Sequence, residues 1–149
     1  MLTVPTQPSS ILVVDANPLS RQLIGQLLQR AGHTVVTAAD GLAALATVRK
    51  AKPDAVVIDL NLPGLPGLEA VRWLRAGTET ANVPVLGLCA FSGSEHATRF
   101  IAAGCSRFFA KPVVSAQAFL AAVAGMLRRE PAAPLPTRPN NVVPLRRAS

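Results

Sequence analysis

Hydrophobic and polar positions alternate between two periods along this chain. Short continuous apolar runs, such as Ile11-Leu12-Val13-Val14 and Ala55-Val56-Val57-Ile58, are bounded by polar or turn-forming residues. Such β-branched runs predict strands buried on both faces. Thr34-Val35-Val36-Thr37, residues 84–88 and residues 107–110 read as three further strands. Between them the apolar positions recur at helical spacing. Leu19, Leu23, Ile24, Leu27 and Leu28 form a first stripe, Leu42, Leu45 and Val48 a second, and Leu68, Val71 and Leu74 a third. Ala97, Phe100 and Ile101 form a fourth, and Phe119, Leu120, Val123 and Leu127 a fifth. The punctuation agrees. Asn17-Pro18, Asp40, Ser92 or Ser94, and Ser115 are helix-start signals, while Gly32, Pro53 and Gly104 are stops.

Five strand–helix alternations with short connections imply a parallel sheet covered on both sides by right-handed crossovers. The expected fold is α/β, a (βα)5 flavodoxin-like doubly wound sheet with strand order 2-1-3-4-5. Residues 10–130 form one domain, which fits a chain of 149 residues, half of them apolar. Residues 1–9 and the Pro/Arg-rich residues 131–149 read as disordered ends. No apolar stretch is long enough to span a bilayer, and no secretory leader is visible, so the expected compartment is the cytoplasm.

Charge and cysteines add little chemistry. The net charge is +7, but Arg138, Arg146 and Arg147 follow Glu130 with no acid among them. Removing these three from 15 basic residues leaves 12 against 8 acidic ones in the first 130. With no aromatic-rich basic patch, this reads as a solvated surface and basic tail rather than a nucleic-acid face. Cys89 and Cys105 fall at opposite ends of neighbouring strands, on the order of 15 Å apart at ~3.3 Å per residue, and predict free thiols. His33 and His96 read as surface residues, and Trp73 falls off its helix stripe.

The chemistry collects at strand ends. The first strand stops at Asp15, the third at Asp59 and the fifth at Lys111-Pro112. Open α/β sheets bind ligands at the carboxyl ends of their strands, so two carboxylates and one ammonium are expected at one rim. An isolated acid there often only caps a loop; three matched strand ends point to a site.

Taken in order, Ile11-Leu12-Val13-Val14-Asp15, Asp59-Leu60-Asn61-Leu62-Pro63 with Gly67, and Lys111-Pro112 resemble the receiver domain of bacterial two-component response regulators. The resemblance covers about residues 10–129. It implies that Asp59 accepts a phosphoryl group from a histidine kinase or a phosphotransfer protein. It further implies that Lys111 pairs with the phosphoryl oxygens, that Lys111-Pro112 is cis, and that Asp15, Asp59 and the Asn61 backbone carbonyl hold Mg²⁺. Phe108 stands at the family's rotating aromatic, and output passes to a protein partner through the face of the fourth helix, fifth strand and fifth helix.

Two departures stand out. Receivers have a pair of acids after the first strand; here the second position is Ala16, which predicts a weak metal site. Cys89 stands at the phosphoryl-binding position where the family has a Thr or Ser, and a thiol is a poor donor. Cys89 itself reads as a small buried hydrophobe, with a redox sensor as the minority alternative. The expected function is that of a single-domain response regulator in a phosphorelay, not a metabolic enzyme. The alternative is a pseudo-receiver, a protein-interaction module that is never phosphorylated. An FMN-binding flavodoxin lacks support, because no Ser/Thr-rich phosphate loop follows the first strand.

Overall fold

The structure, a computed structural model, describes residues 8–62, 64, 66–90, 99 and 101–129. Five parallel strands, β1 (Ser10–Val14), β2 (Thr34–Ala38), β3 (Ala55–Asp59), β4 (Val85–Ala90) and β5 (Arg107–Lys111), form one sheet in the order β2-β1-β3-β4-β5. The helices α1 (Pro18–Arg30), α2 (Gly41–Ala51), α3 (Gly67–Ala76) and α4 (Ala116–Leu127) connect or close them. Here α4 is the last helix among the described residues. The predicted helix start at Ser92 or Ser94, with Ala97 and Phe100, lies outside the described residues, as do His96, residues 1–7 and the tail. Residues 101–103 are helical and turn at Gly104.

Side-chain alternation divides the core into two layers. Leu12, Val14, Val56 and Ile58 meet Ala44 and Val48 of α2 and Ala70, Val71 and Leu74 of α3. Ile11, Val13, Val57, Leu86 and Leu88 meet Ile24 and Leu28 of α1 and Phe119, Val123 and Met126 of α4. Strands covered on both faces need continuous apolar runs, which is why β1 and β3 read so plainly. Helix starts follow local chemistry. The side chains of Asn17, Asp40 and Ser115 accept from the backbone N–H groups of Ser20, Ala43 and Ala118, satisfying orphan donors.

Two expectations need correction. Leu19, Leu23 and Leu42 are exposed rather than core. On α1, Ile24, Gly25 and Leu28 are buried and Leu27 packs partly buried against the same cluster, while Leu19 and Leu23 lie outside that face. His33 is buried rather than on the surface. Thr34 N–H bonds Ser9 O at 2.9 Å as the parallel pairing begins, and this brings Ser9 N–H to His33 Nδ1 at 3.2 Å. Burial there lowers the imidazole pKa.

Candidate functional site

Parallel register brings the predicted strand ends together. Val14 pairs with Ile58, so Asp15 and Asp59 stand level on adjacent strands. Ala90 pairs with Lys111 two strands away. The Lys111 ammonium bridges the two acids, 2.9 Å from Asp15 Oδ2 and 3.1 Å from Asp59 Oδ2. Both carboxylates are held from their other sides. Asn17 N–H donates to Asp15 Oδ1 at 2.9 Å, and Ser20 Oγ donates to Asp15 Oδ2 at 2.7 Å. Asn61 N–H donates to Asp59 Oδ1 at 2.9 Å.

Electrostatics follow from these contacts. Burial alone would raise the Asp15 pKa, but hydrogen bonds from Ser20, Asn17 and Lys111 and the Lys111 charge outweigh it, so the carboxyl lies below its usual range. Burial likewise opposes the Lys111 charge, yet the two carboxylates hold its pKa above the ordinary lysine value. Two acids and one cation leave the rim one negative charge in excess, favourable for a cationic ligand.

Cys89 and Phe108 are placed differently. Both are half-buried and pack against the α2–α3 side of the core. Burial, with the Asp59 charge adding to it, pushes the Cys89 thiol up to about 11, so it is protonated at neutral pH. Phe109 points to the opposite layer and meets Phe119 edge-on, with ring centroids 5.6 Å apart. The Lys111-Pro112 bond is cis, as the resemblance implied. Both cysteines are free thiols.

Reasoning from sequence missed two contributors and the role of a third. Ser20 lies in the first turn of α1, hidden behind the Asn17 cap signal, and the only hint was its spacing from Asp15. Arg21 donates from Nη1 to Asp15 O at 2.7 Å and fixes the backbone below the acid. Gly67 belongs to the motif, but its role is steric: a Cβ there would stand 2.5 Å from Asp59 O and 2.6 Å from Leu60 Cα. Helix α3 therefore starts against the backbone of Asp59 and Leu60, and only glycine permits that approach.

Asp59 Oδ1 takes one amide and Oδ2 one ammonium, which leaves lone pairs for a further cation. Asp15 Oδ2 already takes two donors, and Ala16 offers no side-chain ligand. Among the described residues no three His, Cys, Asp or Glu side chains cluster as a metal site. The arrangement thus fits a divalent cation only through Asp59 and backbone or water oxygens.

Comparison with known proteins places this geometry. Residues 11–124 match the response regulator receiver domain family. The polar-differentiation response regulator DivK of Brucella anthropi is 31% identical over 106 residues, covering 71% of this chain and 86% of DivK. The solved chemotaxis response regulator CheY4 of Vibrio cholerae is 31% identical with a TM-score of 0.76, over 80% of this chain and 99% of CheY4. A solved putative response regulator from Chloroflexus aurantiacus is 30% identical with a TM-score of 0.78, over 83% of this chain and all of that one.

Proposed function

The chain belongs to the response regulator receiver domain family of two-component signalling, and from that premise we propose that it takes a phosphoryl group onto Asp59 from a histidine kinase or phosphotransfer protein. One observation carries the reading: the Asp59 carboxylate ends a strand buried along its whole length, with the Lys111 ammonium 3.1 Å away. In the transfer, an Asp59 oxygen forms a bond to phosphorus as the phosphohistidine P–N bond breaks. Charge then gathers on the three phosphoryl oxygens, and a positioned cation must offset it. Lys111 is that cation; its long stem lets it turn from Asp59 to the incoming group while Asp15 retains it. Asp15, Ser20 and Arg21 fix where Lys111 rests.

Receiver domains generally bind Mg²⁺ at this acidic site, and the ion supplies further neutralisation of phosphoryl oxygens when bound. In this chain Asp59 and the Asn61 carbonyl would hold it, with Asp15 acting through water. Without an acid at Ala16 the affinity is low. No described helix is long and apolar enough to cross a membrane. The reading puts the protein in the cytoplasm and gives it no metabolic reaction beyond gain and loss of its own phosphoryl group. Its output is contact with a protein partner, for which the proposed face is the half-buried edge strand β5 with α4 and the exposed Arg99, Ile101 and Ala102 before β5.

Phosphotransfer from a panel of phosphorylated histidine kinases and phosphotransfer proteins tests this. Label should reach the natural chain and map to Asp59, and Asp59→Asn should take none. Label on Asp15, or label persisting in Asp59→Asn, overturns the assignment. Absence of label with every donor, while partner proteins still bind, would instead identify a pseudo-receiver.

A further inference from the structure

Between α2 and α3 lies an open groove of about 440 Å³. Leu42, Leu45 and Trp73 line its apolar part, with Leu42 65% exposed and Trp73 57% exposed. Exposed apolar residues scattered singly are ordinary, but an indole and two leucines in one concavity mark a binding surface.

Two opposite charges flank the groove. Arg49 lines it from α2, in the last turn before that helix ends at Ala51. Glu79 lines it from the turn that follows the end of α3 at Ala76. Both helices cross back between parallel strands, so both run against the strand direction and finish at the same end of the sheet. The cation and the carboxylate therefore stand at one level, on opposite sides of the groove. Both residues are exposed, and among the described residues neither makes a hydrogen bond or an ion pair. A matching occupant sets an acid over the α2 flank, a base over the α3 flank and an apolar centre between them.

We propose that this occupant is a second copy of the chain, related to the first by a two-fold axis running along the groove. That rotation exchanges the two flanks. It lays α2 of each copy over α3 of the other, so that each Arg49 faces the other copy's Glu79 and each Trp73 packs over the other copy's Leu45. A two-fold interface uses one patch twice, and opposite charges on opposite flanks make this patch its own complement. An aromatic and aliphatic centre with a charged rim is the usual anatomy of such a contact. The patch is small, so the pairing is weak and depends on concentration. It lies on the α2–α3 side of the sheet and leaves β5 and α4 uncovered, so the inference is independent of whether Asp59 is phosphorylated.

Sedimentation velocity on the full-length chain, from micromolar to millimolar concentration, tests this. A monomer–dimer equilibrium should appear. Trp73 is the only tryptophan and the chain has no tyrosine, so its emission reports on this groove. Acrylamide quenching should fall by roughly twofold as the dimer fills and covers the half-exposed indole. Arg49→Glu and Glu79→Arg, both at exposed positions, should each weaken dimerisation by about tenfold or more, because both contacts of the dimer become like-charged. Mixing the two variants should restore the natural affinity, since the mixed dimer again pairs opposite charges at both contacts. A chain that stays monomeric throughout overturns the proposal. So does a dimer that the single variants leave intact, which would lie on another face. A loss that mixing does not repair also overturns it, because Arg49 and Glu79 would then not meet.

Discussion

Strands β3 and β5 both end in a charged member of the site, yet they are held in different ways. Every residue of β3 is buried, and β1 and β4 flank it. Every residue of β5 is only half-buried, and among the described residues β5 is an edge with β4 as its one strand neighbour. Asp59 is therefore fixed by packing before any electrostatic contact forms. Lys111, on the edge strand, is fixed by the ion pairs it makes. The contrast suits the proposed transfer, in which Asp59 stays still as nucleophile and Lys111 changes partner. A carboxylate on a loose edge would lose alignment, and an ammonium locked in a core could not follow a moving charge.

The contrast predicts unequal costs of truncation. Ile58→Ala, in the buried strand, should destabilise by about 2–5 kcal/mol, as deletions in well-packed cores do. Phe108→Leu, in the half-buried strand, should cost less than about 1.5 kcal/mol. Urea unfolding at neutral pH measures both, and similar costs would erase the distinction between the strands. Next in size is Lys111→Met. It leaves the fully buried Asp15 and the nearly buried Asp59 without their shared cation, at about 2–3 kcal/mol. Lys111→Arg should recover part of the stability.

The same variant has a pH signature. Asp15 titrates below its ordinary value in the folded chain, so its contribution is present above that value and fades as pH falls through the folded pKa. Lys111 titrates above its ordinary value, so its contribution is present below that value and fades as pH rises through the folded pKa. Natural protein should thus show a neutral plateau with an acid and an alkaline arm. In Lys111→Met the alkaline arm should shrink to the part set by Cys89 and Cys105, whose thiols burial pushes up to about 11 and about 12, while Ser20 and Asn17 preserve part of the acid arm. An alkaline arm of undiminished depth would mean that Lys111 contributes nothing to it.

Gly67→Ala sharpens the comparison at the β3 end. The added Cβ meets backbone, Asp59 O and Leu60 Cα, which cannot step aside as a side chain can. A cost of about 1–3 kcal/mol is expected, with a larger fall in phosphotransfer than in stability because the displaced atoms belong to the proposed acceptor, Asp59. An unchanged transfer rate would show that α3 and the acceptor move independently.

The features readable from sequence were those set by local pattern. The bounds of β3 and α3 follow from an uninterrupted apolar run and from Gly67, and strand ends alone brought Asp15, Asp59 and Lys111 together. Features set by long-range placement were not readable. Helical periodicity identifies apolar rows but not how many of them a sheet can cover, and so Leu19, Leu23 and Leu42 were assigned inward. His33 is buried by a pairing with Ser9, 24 positions away, that only the sheet register creates. Ser20 looks like an ordinary first-turn residue until the β1 end is placed beneath it. Arg75, which ties α3 to the loops before β4 and β5, looks like any exposed helix arginine.

The smallest effect is expected at Cys89, on the strand between the two compared. A reactive thiol needs an electropositive and accessible setting, and Lys111 sits on the neighbouring strand. That charge is already committed to Asp15 and Asp59 at 2.9 and 3.1 Å. What Cys89 meets instead is burial and the Asp59 carboxylate, which together move its pKa from 9.0 to about 11. Two units lower the thiolate fraction near neutral pH by about a hundredfold, and alkylation follows the thiolate. Iodoacetamide labelling of the folded chain should therefore be about a hundredfold slower than that of the urea-unfolded chain, and mild peroxide should leave phosphotransfer unchanged. Cys105, buried and pushed up to about 12, should label no faster. Rapid labelling of Cys89 in the folded state would mean that Lys111 leaves the carboxylates often enough to activate the thiol, and the edge strand would then be looser than its ion pairs suggest.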